Sequence, residues 1–437
     1  MTLEYRTINC SPEDITMSAY PGAPGPGDVP DDFRRWRQAV QIGFHQNRSN
    51  ARSLQLYYEE ACADGWTLRG FHDSEQPASA LGADYPVATY ASLEKDMNIG
   101  APELMPAHLI TEVTVRPTHR RRGILRRMMT DDLTDAKERG IPLAALTATE
   151  ATIYGRFGFG PTTFINRIQV KTDIRFRLRE QPSGTIHMTS RDQLVRLAPK
   201  FFQRVHERNV GSVGRSRNDA YMSAGHWSYS DQTSDETVRN IVHMDENGQV
   251  DGYASYMVTD DITRARTLTI RDLCAANSNA HIALFAYLAS IDLVEKVEWD
   301  RAPVNDPLEW ALVDRRCYRV TERTDLIWCR ILDPVRILSA RAYPGVDSEL
   351  ILGVEDPMGF ADGVFHLRAV DGTGTVERTD SPAEITMGAD ALASLFLGGV
   401  DARTLEASGR LSGSPEAISR AQQLFTSLGQ PYSNTYF

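Results

Sequence analysis

The chain has 437 residues, 41% of them hydrophobic and 24% charged, and a formal net charge of −11. The length exceeds one ordinary domain, so we expect two to three compact units of a globular protein. The acidic balance disfavours nucleic-acid binding and favours cationic partners, and no apolar run approaches the ~20 residues that span a bilayer.

The N-terminus and the cysteines indicate the compartment, and the histidines bear on metal binding. The N-terminus, MTLEYRTINCSPED, is polar and acidic and has no apolar signal-peptide core, so we expect a cytoplasmic protein. The ten histidines show no metal-ligand spacing, and no metal is expected. The cysteines are odd in number and form no C-x-x-C pair, which predicts reduced, buried thiols. They are Cys10, Cys62, Cys274, Cys317 and Cys329.

The first predicted elements precede residue 93. Residues 21–30 (PGAPGPGDVP) are rich in Pro and Gly and predict a loop. Residues 85–93 predict a strand. Between them a helix is predicted, with Asp31 or Asp32 as its N-cap, because apolar residues recur at helical spacing. These residues are Phe33, Trp36, Val40 and Phe44.

The stretch 113–125 (VTVRPTHRRRGIL) carries the strongest signal in the chain. Leu109, Ile110, Val113 and Val115 predict a strand that Pro117 ends. From residue 124 the apolar period becomes helical until residue 140. Between strand and helix lies Arg-Arg-Arg-Gly, in which glycine permits close backbone approach and the helix N-terminus faces an anion. Guanidinium groups suit phosphate, so the pattern predicts a pyrophosphate cradle.

Two other interpretations of the arginine cluster stay open on spacing alone. Most charge runs are solvated faces, and a basic run can also bind nucleic acid. A Walker A loop would need Lys and Ser or Thr after the glycine, and the dinucleotide fingerprint would need two more glycines. Neither of those two phosphate motifs is present.

Beyond the cradle helix, strands and helices continue to alternate. A strand is predicted at 143–148, and the polar stretch 179–184 marks a boundary. The following unit carries a hairpin signal at 245–257, a strand at 267–273 and a helix at 280–296. Residues 274–281 contain neither glycine nor arginine, so no second cradle of this kind is expected. A last unit begins near residue 333.

Two sequence blocks resemble one known family. Arg120-x-x-Gly123 resembles the coenzyme A loop of GNAT acetyltransferases, Arg/Gln-x-x-Gly-x-Gly/Ala, although Leu125 departs from its last position. The flanking PTHRRRGIL, together with residues 148–161 (ATEATIYGRFGFGP), resembles the Eis (enhanced intracellular survival) branch in particular. The resemblance implies mixed α/β sheets: two tandem GNAT-like domains at 1–184 and 185–330, the second degenerate, and a sterol-carrier-like domain at 331–437.

The resemblance also implies an activity. It predicts an N-acetyltransferase that uses acetyl-CoA on primary amines of polycationic small molecules such as aminoglycosides, at one or several positions, in a homohexamer. Two alternatives stay open: acetylation of protein lysines or polyamines, and a lipid- or sterol-binding carrier. An intact cradle would have no use in a carrier.

The site residues follow from the same resemblance. Tyr154 is the expected proton donor, because a phenol of pKa ~10 holds its proton until a thiolate needs it. The α-carboxylate of Phe437 is the expected base, with Glu112 as the runner-up. Core packing for Tyr154, and helix capping for Thr149 or Glu150, are the structural alternatives. The expected coenzyme contacts are Val113, Thr114, Val115, Arg121, Arg122, Gly123, Ile124, Leu125, Arg126, Thr149 and Glu150.

Overall fold

Three mixed sheets organise the molecule. The computed structural model describes residues 3–12, 29–227, 234–259, 266–427 and 429–437. Within these ranges each sheet is antiparallel apart from one parallel pair: β4 with β5, β11 with β12, and β15 with β18.

The first sheet has the strand order β1-β2-β3-β4-β5-β14-β6. Leu109 and Leu143 face one core with helices α1 and α2, whereas Ile110 and Ala144 face another with α3, because strand side chains alternate. The strands are β1 (Leu3–Asn9), β2 (Thr67–Asp73), β3 (Ala88–Met97), β4 (Met105–Val115), β5 (Leu143–Thr147), β6 (Gly160–Pro161) and β14 (Ile327–Ile331). The helices are α1 (Asp31–Gly43), α2 (Ala51–Ala63), α3 (Ile124–Glu138) and α4 (Ala151–Tyr154).

Two predictions at the N-terminal end need correction. Helix α1 begins at Asp31, and Pro30 occupies the N-cap position without a side-chain bond, so neither Asp31 nor Asp32 is the cap. Both aspartates lie in the first turn, where a carboxylate favours the positive end of the helix dipole. The strand predicted at 85–93 begins at Ala88, after Pro86, and extends to Met97. The loop predicted at 21–30 lies outside the described residues up to residue 28.

The second sheet has the order β13-β7-β12-β11-β10-β9-β8. Its β9–β10 hairpin confirms the turn signal at 245–257. The strands are β7 (Phe164–Lys171), β8 (Thr185–Thr189), β9 (Arg239–Met244), β10 (Val250–Val258), β11 (Arg266–Ala275), β12 (Val294–Pro303) and β13 (Tyr318–Asp325). The helices are α5 (Arg191–His206), α6 (Arg217–Ala224), α7 (Ser278–Ala289) and α8 (Pro307–Ala311).

The helix predicted at 280–296 is too long at its C-terminal end. Helix α7 stops at Ala289, and Val294 to Lys296 already belong to strand β12. Lys296 pairs there with Lys171 on one side and Thr267 on the other. Tertiary strand pairing therefore overrides the local helical pattern.

The third sheet has the order β17-β16-β15-β18-β19. Its strands are β15 (Ser348–Glu355), β16 (Gly363–Val370), β17 (Thr373–Arg378), β18 (Ile385–Gly388) and β19 (Leu411–Gly413). Its helices are α9 (Pro334–Ala340), α10 (Ala389–Leu395), α11 (Ala402–Ala407) and α12 (Pro415–Leu424).

The first two sheets exchange strands. Strand β7 precedes the predicted boundary at 184/185 but pairs with β12 and β13 in the second sheet. Strand β14, which spans the boundary at 330/331, pairs with β5 and β6 in the first sheet. The division into 1–184, 185–330 and 331–437 stays a prediction for the chain, and the sheets cross it at these two strands.

Two further observations concern the cysteines and the helices. All five cysteines lie in the described ranges; each is buried, as predicted, and none forms a disulfide there. Across the same ranges, no helix is both long enough and apolar enough to cross a membrane.

Candidate active site

Strands β4 and β5 separate before β4 ends, and this opens a cleft in the first sheet. Their parallel pairing covers only Ala107–Ile110 of β4. Strand β4 continues to Val115, still paired on its other side with β3. The backbone groups of β4 beyond Ile110 that face β5 therefore have no ladder partner there, and they can bind an extended ligand.

A β-bulge in β4 turns its last residues. The register with β3 shifts between Thr89 and Ala91, opposite Glu112, whose φ is +52°. Thr89 locks the bulge because its hydroxyl donates to the Glu112 carbonyl (2.9 Å) and bonds the Thr114 hydroxyl (2.7 Å). The Thr114 side chain is thereby committed to β3, so what Thr114 can offer the cleft is its backbone.

The loop after β4 forms a concave turn at the N-terminus of α3. Arg121 (φ +63°) and Gly123 (φ +76°) are both left-handed, and Gly123 occupies the N-cap without a side chain to satisfy the first-turn N–H groups. Backbone N–H groups arranged in this way bind anions. Arg121, Arg122 and Arg126 are exposed around this point, while Ile124 is buried under the helix.

His119 is an anchor of this loop that sequence reasoning missed. It is 6% exposed, and its Nε2 lies 3.2 Å from Asp73 Oδ2 at the end of β2. Its Nδ1 bonds the Thr118 hydroxyl (2.8 Å). In the sequence His119 stands beside three arginines and looks like one more exposed cation. In the structure its contact with Asp73 fixes the loop to the end of β2.

Tyr154 ends the short helix α4 at the far side of the cleft. Its side chain is 7% exposed and packs edge-on against Phe159, with ring centroids 6.2 Å apart. Burial raises the pKa of Tyr154 to about 12, and the negative charge of Glu150 adds to this. Glu150 occupies the N-cap position of α4, but its side chain makes no capping hydrogen bond. The capping interpretation is therefore right about the position and wrong about the bond.

The glycines around Tyr154 serve the junction between units. Gly158 is left-handed (φ +79°), and a Cβ there would lie 2.7 Å from Nε of Arg330. A Cβ on Gly160 would lie 2.0 Å from the carbonyl oxygen of Asp390 in α10. Arg330 is itself fully buried and paired with Asp356 of the third unit. Gly158 and Gly160 of the second sequence block therefore allow the third unit to pack closely against the first.

Phe437, the last residue of the sequence, reaches the same cleft from the third unit. One of its backbone oxygens accepts a hydrogen bond of 2.6 Å from the Thr147 hydroxyl at the end of β5. A cavity of about 680 Å³ is lined together by Val113, Thr149, Tyr154 and Phe437. The structure thus brings the two expected catalytic residues to one cavity, whereas the cradle residues 121–126 lie outside its lining.

Glu112, the runner-up base, is already engaged. Its Oε1 lies 3.0 Å from Nη1 of Arg37 and also accepts the Tyr57 hydroxyl. Arg37 is 5% exposed, and its guanidinium carbon lies 3.9 Å from the Tyr57 ring centroid. Oε1 of Glu112 is thus committed to two neighbouring side chains.

Glu60 is a cavity residue for which the sequence gives no signal. It is 4% exposed and accepts hydrogen bonds from Ser216 Oγ (2.6 Å) and Asn218 Nδ2 (2.9 Å) of the second unit. Burial raises the pKa of Glu60 to about 8. In the sequence Glu60 looks like an ordinary helical glutamate of α2. In the structure it is covered by Ser216 and Asn218 at the start of α6.

No group of three potential metal ligands occurs among the residues described.

Comparison with known proteins gives three domain matches and several full-length relatives. Residues 29–162 and 216–337 match acetyltransferase (GNAT) domains, and residues 334–434 match a sterol carrier protein domain. An uncharacterized N-acetyltransferase of Streptomyces griseus is 32% identical over 94% of this chain and 98% of its own. The N-acetyltransferase Eis of Mycobacterium bovis is 32% identical over 73% of this chain and 78% of its own.

Solved structures agree with these matches. The crystal structure of Eis1 from Mycobacterium abscessus has a TM-score of 0.77 at 26% identity and covers 94% of this chain and 98% of its own. A GCN5-related N-acetyltransferase from Anabaena variabilis has a TM-score of 0.78 at 18% identity, over 99% of this chain and all of its own, which shows the fold alone. The predicted fold class is confirmed: two GNAT domains and a sterol-carrier-like domain, built on three mixed sheets.

Proposed function

This chain belongs to the Eis family of GNAT N-acetyltransferases, and on that premise we propose that it acetylates primary amines of polycationic small molecules such as aminoglycosides, at one or several positions. The GNAT fold implies acetyl-CoA as the co-substrate. The observation that carries the proposal is the meeting of Val113, Tyr154 and Phe437 on one cavity, with Phe437 held by Thr147.

In the proposed reaction the amine nitrogen forms a bond to the thioester carbonyl carbon, and the carbon–sulfur bond breaks. Tyr154 donates its phenolic proton to the departing thiolate sulfur. Its raised pKa, about 12, keeps the phenol protonated before the step. Because this phenol is a weaker acid than a thiol of pKa ~8.5, its proton moves as the carbon–sulfur bond breaks, and the second proton that the amine nitrogen loses restores the phenol. A backbone N–H of 113–115 polarises the thioester oxygen.

We propose that the α-carboxylate of Phe437 accepts the amine's proton. A free α-carboxylate has a pKa of ~3.5 and is a weak base for an ammonium, so a water molecule relays the proton through it to solvent, and amide formation then draws the step forward. The bond from Thr147 supports this role because it fixes one carboxylate oxygen and leaves the other available.

The proposed coenzyme contacts divide into two sets. The open edge of β4 at Val113, Thr114 and Val115 would take the pantetheine arm through backbone groups. The left-handed turn and first turn of α3, residues 121–126, would take the pyrophosphate, with Thr149 and Glu150 as further contacts. The exposed arginines and the uncapped helix N-terminus support this assignment.

Two exposed carboxylates on the cavity wall support a cationic substrate. The described lining carries six cationic side chains beside six carboxyl groups, and two of these cations pair with carboxylates of the lining: Arg37 with Glu112, and Arg167 with both Asp300 and Glu322. Asp300 and Glu322 remain 62% and 49% exposed, so they can also bind ammonium groups. The carboxylates on the lining are Glu60, Glu112, Asp219, Asp300, Glu322 and Asp325.

Two further proposals concern assembly and location. We expect a homo-oligomer, a hexamer in particular, which light scattering on the purified chain would test. We also expect a cytoplasmic location, which cell fractionation would test. Among the described residues, no observation favours a lipid-carrier function, because Leu350, Leu352, Phe365 and Leu367 of the third sheet are fully buried in an apolar cluster that the third unit shares with the first.

A turnover screen tests the proposed function. Release of coenzyme A from acetyl-CoA would be followed with aminoglycosides, linear polyamines and lysine peptides, and products would be mapped by mass spectrometry. We expect aminoglycosides to give the highest kcat/KM. If polyamines or lysine peptides turn over faster, they become the proposed substrate class in place of aminoglycosides. If no amine turns over, the proposed acetyltransferase activity is overturned.

A further inference from the structure

The second sheet repeats the arrangement that opens the cleft in the first. Strands β11 and β12 are parallel and joined by helix α7, and their pairing covers only Arg266–Ile270 of β11. Strand β11 continues to Ala275, paired on its other side with β10. The β10–β11 register also shifts, between Ser255 and Tyr256, as the β3–β4 register shifts beside Glu112. The second domain therefore has its own opening between parallel strands.

The segment around Asn434, near the end of the sequence, lies in that opening. Asn434 donates from Nδ2 to the Leu273 carbonyl on the unpaired edge of β11 (3.1 Å). Arg301 of β12 donates from Nη1 to the Asn434 carbonyl (2.9 Å) and from Nη2 to the Arg271 carbonyl (2.9 Å). The arginine thus joins both strands and the segment that lies between them.

Further bonds fix the segment on either side of Asn434. The Tyr432 hydroxyl donates to the Arg301 carbonyl (2.5 Å), and the Thr435 hydroxyl donates to the Val213 carbonyl (2.9 Å). Ser433, Asn434 and Thr435 are 1%, 8% and 2% exposed. Tyr436 is 58% exposed, so Thr435 is the last buried point before Phe437. Two residues span at most ~7 Å, which limits how far Phe437 can move.

We propose that the opening of the second GNAT domain, which in the first would take the pantetheine arm, is a clamp for residues 432–435. Arg301 and Asn434 are then positioning residues that set where the Phe437 carboxylate stands. This inference rests on the proposed function, because a clamped tail matters to turnover only if Phe437 takes part in it. It also gives the degenerate domain a task in catalysis. Because Asn434 takes the edge of β11 at Leu273, we expect one donor site per chain, although a cavity of about 580 Å³ remains beside the tail.

Removal of one clamp bond tests the proposal. Asn434→Ala deletes the amide that binds Leu273, and Tyr432→Phe deletes the hydroxyl that binds Arg301 while keeping the ring. We expect kcat to fall ~10- to 100-fold, since a misplacement of about 1 Å can cost ~10² in rate. The KM for acetyl-CoA should stay within about twofold, because the cradle belongs to the first domain.

A second readout separates positioning from stability. Carboxypeptidase A removes aromatic C-terminal residues, and mass spectrometry reports the release of Phe437. We expect release to be faster in both variants than in the wild-type chain at a temperature well below their melting. Gln430→Ala is the matched control: it too deletes a side-chain amide bonded to a backbone carbonyl, that of Gly399 (3.2 Å), but it lies before the clamp. It should change neither kcat nor Phe437 release.

The outcomes distinguish the clamp from the catalytic role on which it rests. Wild-type kcat and wild-type protection of Phe437 in both variants would overturn the clamp, even where a C-terminal extension of the wild-type chain abolishes turnover. Full turnover in the extended chain would instead remove Phe437 as the base. Coenzyme A titration that gives two sites per chain would show that the second opening is not filled.

Discussion

Tyr154 and Glu60 are two buried acids on the same cavity, and burial raises the pKa of both. For Tyr154 the shift, to about 12, preserves a proton for donation. For Glu60 the shift, to about 8, keeps a carboxyl neutral where the first and second units meet. Desolvation therefore favours the protonated form of both groups. At Tyr154 this suits the proposed proton donation, and at Glu60 it allows the carboxyl to be buried between two units.

The substitution Tyr154→Phe should lower kcat strongly while coenzyme affinity stays nearly unchanged. It removes the donating hydroxyl and keeps the ring that packs against Phe159. Loss of a general acid costs typically ~10²–10⁴-fold. Steady-state kinetics and calorimetric titration with coenzyme A give the two quantities. Wild-type turnover in this variant would make Tyr154 a packing residue.

The substitution Glu60→Gln should change how stability depends on pH. The folded-state pKa is raised from 4.5 to about 8, so between these values the folded state holds a proton that the unfolded state has lost. Stability of the wild-type chain therefore falls as pH rises from about 4.5 to about 8, and the glutamine variant lacks this contribution. The Tm difference, variant minus wild type, should increase over this window. A difference independent of pH would contradict the shift.

At the scale of elements, two glycine-containing segments act for different reasons. The turn after β4 needs Gly123 in the left-handed region, and nothing of the protein lies within 4 Å of a Cβ there. That open side is where an anion can approach. The segment after α4 needs Gly160 because the backbone of α10 approaches it directly.

Gly123→Asp should abolish coenzyme binding without unfolding the chain. The aspartate adds a side chain and a negative charge where the pyrophosphate is expected. Gly140→Asp is the matched control, since Gly140 follows α3, is also left-handed (φ +78°) and also has open space. Calorimetric titration should show lost affinity in the first variant only. Equal affinity in both would reject the cradle.

Gly160→Ala should destabilise the docked third unit by ~1–3 kcal/mol or more, because its Cβ meets the Asp390 carbonyl oxygen and Ser394. Gly155→Ala is the control: Gly155 has φ −56° and nothing within 4 Å of a Cβ. Chemical denaturation of both variants gives the two free energies of unfolding. Similar values would mean that α10 moves aside at little cost.

At the scale of the whole molecule, the cavity is assembled from three units. The first sheet supplies Val113 and Tyr154, the second unit supplies Arg301 and Asp219, and the third supplies Phe437. The third unit is connected to the cavity through residues 432–435, which cross the second sheet. The proposed catalytic mechanism therefore depends on the relative placement of all three units.

A short C-terminal tag should abolish turnover, since it converts the proposed carboxylate of Phe437 into an amide that cannot accept a proton. Deletion of Phe437 would displace the carboxylate by about 3.3–3.6 Å and should cost roughly 10²-fold or more. Both variants should bind acetyl-CoA as the wild-type chain does. Comparison with an N-terminally tagged chain controls for the tag. Full activity of the C-terminally tagged chain would assign the base to another group.

The sequence alone determined the local features that depend on short-range patterns. The strand through Val115, the turn at Gly123 and the helix from Ile124 follow from β-propensity, proline, glycine and helical periodicity, and the structure confirms them. The family and its three-domain fold were also predicted, from two adjacent blocks within 50 residues. Residue roles at the site remain proposals, since they came from the same resemblance.

Tertiary structure decided what depends on residues distant in the chain. Val294–Lys296 became strand instead of helix because β7 and β11 pair with them. Glu60 became a buried acid because Ser216 and Asn218 dock on it, and β7 and β14 changed sheets. The path of residues 432–435 along the second sheet follows from the open edge of β11, whose carbonyls must find donors. Such partners carry no periodicity of their own, so only the folded chain identifies them.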